Sequence, residues 1–401
     1  MNNGRTGGQR ALSRPDSLAA TSDTWPHTRE ESLLTEPSLR ERFKGCLLGG
    51  AVGDALGAPV EFMSWRNIVE RFGADGVTDY VPAYGRIGAI TDDTQMTMFT
   101  AEGLIRSFVR GSIKGITTEV GVTAHAYLRW LLTQGERPIL TIDLLNEEEK
   151  GWLFGHAELH HRRAPGNTCV SALRSLGDLG DRARNDSKGC GGVMRVAPAG
   201  LFVARAGSTH DLEAAFGLGT ELCAITHGHP TGSLAGGAFG ALILALVGES
   251  PLLDALTAVK SLLTTRPRHD EVLTALDSAE RLATSGRPHH EAIADIGEGW
   301  TAEEALAIAI YCALVARDFR HGVLMAVNHG GDSDSTGAIT GNLLGAMHGV
   351  EAIPAEWLRQ VELGDVISEL ADDLFAFRDW DIDDYEFDPE TERIWHKYPG
   401  F

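Results

Sequence analysis

Cysteine and strand-like alternation are both scarce in this chain of 401 residues. Its cysteines are odd in number and lie singly along the sequence: Cys46, Cys169, Cys190, Cys223 and Cys312. Neither a disulfide framework nor a thiolate metal site is expected from this spacing, so the compartment is predicted to be reducing. Alternating apolar and polar residues are nearly absent, which favours a helical fold over a sheet.

Basic residues are also few. The chain has 35 Lys and Arg against 56 Asp and Glu, a net charge of -21, which argues against a nucleic-acid groove. No apolar run reaches the roughly 18 residues of a membrane span, and the N-terminus lacks the apolar core of a signal peptide. We therefore expect a cytoplasmic monomer with neither a nucleic-acid nor a membrane partner.

Composition predicts one large globular part with two polar ends. Residues 1–38 are rich in Gly, Ser, Thr, Arg and Pro and are predicted to form a disordered or loosely docked N-terminal arm. Residues 39–380 are the predicted domain, and hydrophobic residues, 43% of the chain, are enough for its core. Residues 381–401 are predicted to be an acidic C-terminal tail, the end of an acid-rich and solvated surface.

Helical periodicity recurs throughout the domain. It begins with a glycine-rich helix from Leu39, on which Asp54 is predicted to be structural and Glu61 to lie near the helix end. Further helices are predicted at residues 95–110, 117–132, 169–179, 212–226, 232–247, 251–263, 270–284 and 301–317. The fold class is therefore predicted to be all-α, a single-domain orthogonal bundle of a dozen or more helices.

Two acidic clusters stand at predicted helix starts. The first is Thr91, Asp92, Asp93 and Thr94, and the second, in NHGGDSDSTG, supplies Asp332, Asp334 and Ser335. Such residues commonly serve only as N-caps. If the two clusters meet, however, their oxygens repel one another and require protons or cations. Since neither cluster has His or Cys at zinc-ligand spacing, the hypothesis is a site for hard cations such as Mg²⁺ or Mn²⁺.

Three loops resemble ligand cradles. One places Gly166, Asn167 and Thr168 at a helix start, where free N–H groups favour an anion. A second loop, from Ser187 to Gly192, is rich in backbone donors that can surround a phosphate or a ribose. A third holds His227 and His229 before another helix. An ordinary turn or a capping histidine is the alternative for each loop.

Taken together, GCLLGGAVGDALGAPVEF, TDDTQMT, GNT, SKGCGGVMRVAPAGL, ITHGHP and NHGGDSDSTGAITGNLLGA resemble the ADP-ribosylglycohydrolase family, of the dinitrogenase-reductase-activating glycohydrolase type. The motifs cover roughly residues 40–350 in the order of that family. The resemblance implies an all-helical fold with a centre of two Mg²⁺ or Mn²⁺ ions. It also implies an enzyme that removes ADP-ribose from modified side chains or small acceptors.

The resemblance also assigns roles. It implies metal ligands at Thr91, Asp92, Asp93, Asp332, Asp334 and Ser335. It places Glu61 at the family's acid near the end of the first helix, beside a metal or its water. It implies substrate contacts on the segments that hold Gly166, Asn167, Thr168, Ser187, Gly189, Gly191 and His227.

Glycosidic cleavage at the anomeric carbon of ADP-ribose develops positive charge on the sugar ring, which nearby carboxylates stabilise. One of Glu61, Asp92 and Asp334 is expected to act as the general base or acid. The form of the motifs resembles members that act on ADP-ribosyl-arginine, which implies an ADP-ribosylated protein as substrate.

Alternatives are serine-linked or O-acetyl-ADP-ribose substrates, a phosphohydrolase that splits the diphosphate, and a non-catalytic ADP-ribose- or toxin-binding protein. Immunity against an ADP-ribosylating toxin, contacted through the N-terminal arm, is a further hypothesis.

Overall fold

The computed structural model describes residues 36–142, 144, 146, 150–207, 209–382 and 388–400. These residues contain seventeen α-helices and no β-strand, which confirms the all-α prediction. The helices are α1 Leu39–Gly57, α2 Trp65–Phe72, α3 Asp92–Lys114, α4 Glu119–Thr133, α5 Asn167–Arg174, α6 Ala197–Ala206, α7 Leu212–Ala224, α8 Pro230–Val247, α9 Leu252–Leu263, α10 Asp270–Ala283, α11 His289–Ile296, α12 Ala302–Val315, α13 Phe319–Val327, α14 Ser333–His348, α15 Ala355–Leu358, α16 Gly364–Ala376 and α17 Pro389–Lys397. Short 3₁₀ helices lie at Leu153–Gly155, Ala157–His160, Val193–Arg195, Val350–Ala352 and Phe377–Asp379.

Helix boundaries agree with the sequence within a few residues, and the differences have local causes. Helix α3 begins at Asp92 rather than at residue 95, because Thr91 caps it by accepting a hydrogen bond from the Asp93 N–H. Helix α5 ends at Arg174, before the glycines of the following loop. Helices α2, α6, α11, α13 and α15 to α17 were not predicted, and most of them offer too few turns for a clear period.

Helices α1 and α14 pack against each other through matching glycines. Gly45, Gly49 and Gly53 of α1 face glycines at the same four-residue spacing in α14, namely Gly345, Gly341 and Gly337. A Cβ atom on any of these glycines would lie less than 3.0 Å from backbone atoms of the facing helix. The two backbones therefore touch directly, and no side chain separates them.

Helix α8 is the centre of the second half of the bundle. Its 18 residues have a mean hydropathy of 1.6, so, contrary to the expectation from the sequence, one apolar run is sufficient by length and composition for a membrane span. However, 94% of that stretch is buried among the neighbouring helices. The helix is apolar on every side because other helices surround it, as expected for a core helix.

Residues 37 onward form one compact unit. Of the predicted arm, residues 1–38, all but the last three lie outside the described residues. The predicted acidic tail includes α17, and just after it Tyr398 is completely buried and donates a hydrogen bond to Asp373 at 2.6 Å. The buried Arg106 guanidinium donates to the Pro399 carbonyl at 2.8 Å. This part of the tail is therefore packed rather than solvated, through contacts that its acidic composition did not reveal.

We predict that Gly341→Ala destabilises the protein by about 1–3 kcal/mol, because the new methyl group would clash with the backbone of Gly49, which cannot move aside. A matched control is Gly217→Ala in α7, where a Cβ meets nothing within 4 Å. The control is expected to be neutral or to stabilise by up to about 1 kcal/mol, since Ala is the better helix former. Denaturant unfolding of both variants checks this. Equal stability of the two variants would contradict the direct backbone contact.

Candidate metal centre and active site

A cavity of about 630 Å³ lies where the end of α1 meets the starts of α3 and α14. Its lining includes the carboxylates of Glu61, Asp92, Asp93, Asp332 and Asp334. The two acidic clusters, which are far apart in the sequence, thus converge on one space. The volume is in the range of small-molecule sites in proteins.

Backbone packing explains the convergence. At the end of α1, a Cβ atom on Gly57 would clash with the Ser333 carbonyl and with Asp334. The turn that follows α1 carries Glu61, so the glycine contact brings Glu61 to the first turn of α14. Helix α3 joins through Asp54 of α1, whose carboxylate accepts hydrogen bonds from the Thr91 N–H at 2.9 Å and from the Thr94 N–H at 3.2 Å. Asp54 therefore has the structural role that was predicted.

The donor set fits a hard cation. One oxygen from each of Glu61, Asp332 and Asp334 lies within 4.8 Å of the other two. Asp93 Oδ1 is buried in the wall of the same cavity and has no hydrogen-bond partner. A buried carboxylate oxygen without a donor is costly unless a cation or a proton satisfies it. Clustered carboxylate oxygens are the ligands that Mg²⁺ and Mn²⁺ prefer.

Electrostatics lead to the same conclusion. Burial, together with the negative charges of Asp334, Asp332 and Asp92, raises the pKa of Glu61 to about 11. Burial and the charge of Asp334 raise the pKa of Asp54 to about 7. The pKa values of Asp92, Asp93 and Asp332 are likewise raised well above the ordinary value, first by burial and then by Asp334. Without a cation, this cluster therefore holds protons at neutral pH.

Two of the predicted ligands have other contacts as well. The Thr91 hydroxyl accepts from the Asp93 N–H at 3.2 Å and lies within 3.4 Å of Asp93 Oδ2. Thr91 is fully buried and is not part of the cavity lining, so its contact in this structure is the cap of α3. Ser335 does line the cavity, and its N–H donates to Asp332 Oδ1 at 3.3 Å and to Asp334 Oδ1 at 3.0 Å.

The predicted substrate segments divide between the lining and the layer behind it. Gly166, Asn167 and Gly191 line the cavity, and the Gly166 N–H donates to Asp92 Oδ2 at 3.3 Å. The Thr168 and Ser187 hydroxyls share a hydrogen bond of 3.1 Å, which joins two of the predicted cradles. Thr168 and Ser187 are not in the lining, so these two cradles meet through their hydroxyls beside the cavity.

His227 and Gly189 also lie behind the lining. The Nδ1 atom of His227 shares a hydrogen bond of 2.9 Å with the Thr226 hydroxyl. Burial, and then the nearby Arg195 guanidinium, lower the pKa of His227 to about 3, so the ring is neutral. A Cβ atom on Gly189 would lie 3.5 Å from His227 Nε2. The histidine therefore supports the 187–192 loop from behind.

Sequence reasoning missed part of the lining. The missed residues are Phe62, Arg162, Ala164, Pro165, Cys190, Met194 and Trp300. Phe62 and Ala164 have positive φ angles of 65° and 56°, which are uncommon for residues other than glycine. Strained backbone concentrates at functional sites, but no sequence pattern marks these two positions.

Among the missed residues, Cys190 and Arg162 had partial signals in the sequence. The Cys190 thiol donates to Asp332 Oδ2 at 2.6 Å, and its place within the glycine-rich 187–192 loop could have drawn attention to it. Within the described part of the chain, Arg162 is the one cation of the lining, and it lies four residues before Gly166 of the predicted cradle. A search for a positive charge near that cradle would have found it.

A sequence profile described as ADP-ribosylglycohydrolase matches residues 35–382 of the chain. Among curated proteins, the ADP-ribosyl-[dinitrogen reductase] glycohydrolase of Rhodospirillum rubrum is 29% identical, over 82% of this chain and 93% of that protein. The ADP-ribosylarginine hydrolase Tri1 of Pseudomonas putida is 26% identical, over 89% of this chain and 83% of the relative. The profile match spans both acidic clusters and nearly the whole predicted domain.

A solved structure agrees with the sequence matches. A chain from an ADP-ribosylglycohydrolase-related protein complex superposes with a TM-score of 0.60 and 26% sequence identity. The alignment covers 85% of this chain and 99% of that chain. The similarity therefore extends over the whole bundle and not only over the cavity.

We predict that the cation-free protein loses thermal stability between pH 7 and pH 9. Glu61 ordinarily titrates near 4.5 but has a folded pKa of about 11, so the folded state binds more protons across this interval. A carboxyl group whose pKa is raised by folding contributes stability at low pH, and that contribution is lost as the pH rises. Melting temperatures measured in EDTA should fall over this range.

Saturating Mg²⁺ or Mn²⁺ serves as the control, because the cation replaces the protons and should flatten the pH dependence. The acidic side is avoided because neutral buried histidines, such as His227 with its pKa of about 3, destabilise the fold as the pH drops below about 6.5. A pH-independent melting temperature in EDTA would contradict the repulsion among these carboxylates.

Proposed function

Since the chain belongs to the ADP-ribosylglycohydrolase family, we propose that it is a metal-dependent hydrolase that removes ADP-ribose from modified arginine side chains. The observation that carries the proposal is the convergence of Glu61, Asp332 and Asp334 within 4.8 Å, beside the buried acids of α3. The arginine linkage is supported by the relatives, since the Pseudomonas putida protein is named an ADP-ribosylarginine hydrolase. Such a reaction reverses mono-ADP-ribosylation of a protein.

The proposed centre holds two Mg²⁺ or Mn²⁺ ions. Asp92, Asp93, Asp332 and Asp334 supply the carboxylate ligands, and Ser335 supplies a hydroxyl. Thr91 would supply a second hydroxyl, since its oxygen keeps a lone pair after accepting the Asp93 N–H. When bound, such ions neutralise the cluster, orient the ribose hydroxyl groups and lower the pKa of a bound water.

The residues of the chain supply the rest of the chemistry. Carboxylates around the cavity stabilise the positive charge that develops on the ribose ring as the bond from its anomeric carbon to the arginine nitrogen breaks. Glu61 gives up its own proton when cations neutralise the cluster. A water oxygen then bonds to the anomeric carbon, and the ionised Glu61 accepts the proton which the water gives up. Glu61 then passes this proton to the departing nitrogen, so the proton count balances. Glu61 suits the role because it is only partly buried, whereas Asp92 and Asp334 are almost completely buried.

Diphosphate binding is assigned to Arg162. Among the residues that the structure describes, it is the only Lys, Arg or His in the cavity lining, whereas the same lining carries several carboxylates. An anionic diphosphate entering this space needs a positive partner, and a guanidinium binds phosphate oxygens in a fork geometry. Arg162 pairs with Glu136 at 3.4 Å and remains 53% exposed, so it is free to turn from Glu136 towards a ligand.

We expect wild-type protein with Mg²⁺ or Mn²⁺ to release ADP-ribose from an arginine-linked substrate faster than from serine- or acetyl-linked substrates. EDTA should abolish the reaction. Asp334→Asn should reduce kcat by about 100-fold or more, because it removes a negative charge that stabilises the positive charge developing on the ribose. Chromatography of the released nucleotide is the measurement. Release of AMP would instead indicate cleavage of the diphosphate, and bound but uncleaved substrate would indicate a binding protein.

Arg162→Gln is expected to weaken the binding of ADP-ribose by about tenfold, the value of one charge-assisted hydrogen bond. The matched control is Arg174→Gln. Arg174 pairs with the same Glu136 carboxylate, at 3.5 Å, and is 57% exposed, but it does not line the cavity. Calorimetric titration with ADP-ribose compares the two variants. Equal affinity of both variants would remove Arg162 from the diphosphate site.

A further inference from the structure

The cavity has an aromatic rim that the reaction described above does not use. Phe62, directly after Glu61, is 70% exposed. Its ring stacks on the indole of Trp300, with centroids 5.3 Å apart and planes inclined by 17°. An exposed phenylalanine in a strained backbone conformation, beside a predicted catalytic acid, is not explained by folding.

Backbone hydrogen bonds hold Trp300 at a fixed position relative to the acidic centre. The Asp332 N–H donates to the Glu298 carbonyl at 2.8 Å, and the Cys190 N–H donates to the Trp300 carbonyl at 3.1 Å. Gly331 has a φ angle of 142°, and a Cβ atom there would clash with the Glu298 backbone. The loop that carries Trp300 is therefore tied both to the start of α14 and to the 187–192 loop.

Negative charge accompanies these two rings. The indole N–H of Trp300 donates to the Glu298 carboxylate at 3.1 Å, and Glu61 precedes Phe62 in the chain. Aromatic faces beside carboxylates attract a flat cation, by cation–π and charge interactions together. A diphosphate would be repelled by the same carboxylates, and the neutral adenine attached to it would gain only the stacking.

We infer that Phe62 and Trp300 form the acceptor subsite, which holds the guanidinium group of the ADP-ribosylated arginine. This inference rests on the proposed function and specifies how the site distinguishes its substrate class. The guanidinium is flat and positively charged, and it stacks on the rim while the ribose reaches the acidic centre. Serine-linked and acetyl-linked substrates have no such group, so the rim does not strengthen their binding.

The experiment measures KM and kcat of Phe62→Leu and Trp300→Leu with an arginine-linked substrate and with O-acetyl-ADP-ribose. Leucine keeps apolar bulk but removes the π face. The expected result is a rise in KM for the arginine-linked substrate of about 3- to 30-fold, with the values for O-acetyl-ADP-ribose unchanged. Trp300→Phe keeps a ring and should retain most of the preference.

Two controls make the result specific. Trp395→Leu removes another half-buried indole, one that has the Lys114 ammonium 5.7 Å from its ring and is not part of the cavity lining, and should change neither substrate's values. Calorimetry should give the same affinity of each rim variant for free ADP-ribose, which lacks the guanidinium. Melting temperatures confirm that every variant is folded.

Two results would overturn the inference: equal losses on both substrates, or weaker binding of ADP-ribose itself, which would place adenine on the rings. Failure of the proposed function is distinguished from this by wild-type protein. If wild-type protein releases no ADP-ribose from the arginine-linked substrate, the proposed activity on arginine is wrong, and so is the acceptor subsite. If wild-type protein does release it, and the rim variants prefer the arginine-linked substrate as strongly as wild-type protein does, only the acceptor subsite is wrong.

Discussion

The structure depends on forcing carboxylates together that would separate if the chain allowed it. Burial of Asp92, Asp93, Asp332 and Asp334 around one cavity is unfavourable for the bare protein. The compensating interaction is the glycine contact between α1 and α14, in which two backbones meet without side chains between them. Close packing of the bundle supplies the free energy that holds the acids in place. A bound cation or a proton then removes the remaining repulsion.

Residues behind the cavity lining also fix the positions of the residues that form it. Asp54 faces no substrate, but it accepts two backbone N–H groups at the start of α3 and so sets the position of Asp92 and Asp93. Its pKa of about 7 reflects burial beside Asp334. His227 has a similar supporting place behind the 187–192 loop. Residues of this kind influence a site through position and field rather than through contact.

Much of this arrangement could be predicted from the sequence, for identifiable reasons. Glycines at four-residue spacing and acids at helix starts are local signals, so the helical fold and the acids around the cavity were accessible before the structure was known. The rim was not. Phe62 and Trp300 meet only because the turn after α1 lies beside the loop before α12, and no local pattern encodes that distance. Tyr398 shows the same limit, since an acidic composition concealed a buried side chain.

The glycine contact between α1 and α14 has a consequence for how such a site can diversify. Along three successive pairs, from Gly45 with Gly345 to Gly53 with Gly337, there is no space for even one additional carbon atom. Substitutions at these glycines are therefore unfavourable, and the contact between the two helices keeps the spacing of the acids constant. Phe62, Arg162 and Trp300 lie in loops around the cavity and outside these glycine contacts, so replacements there do not meet this constraint.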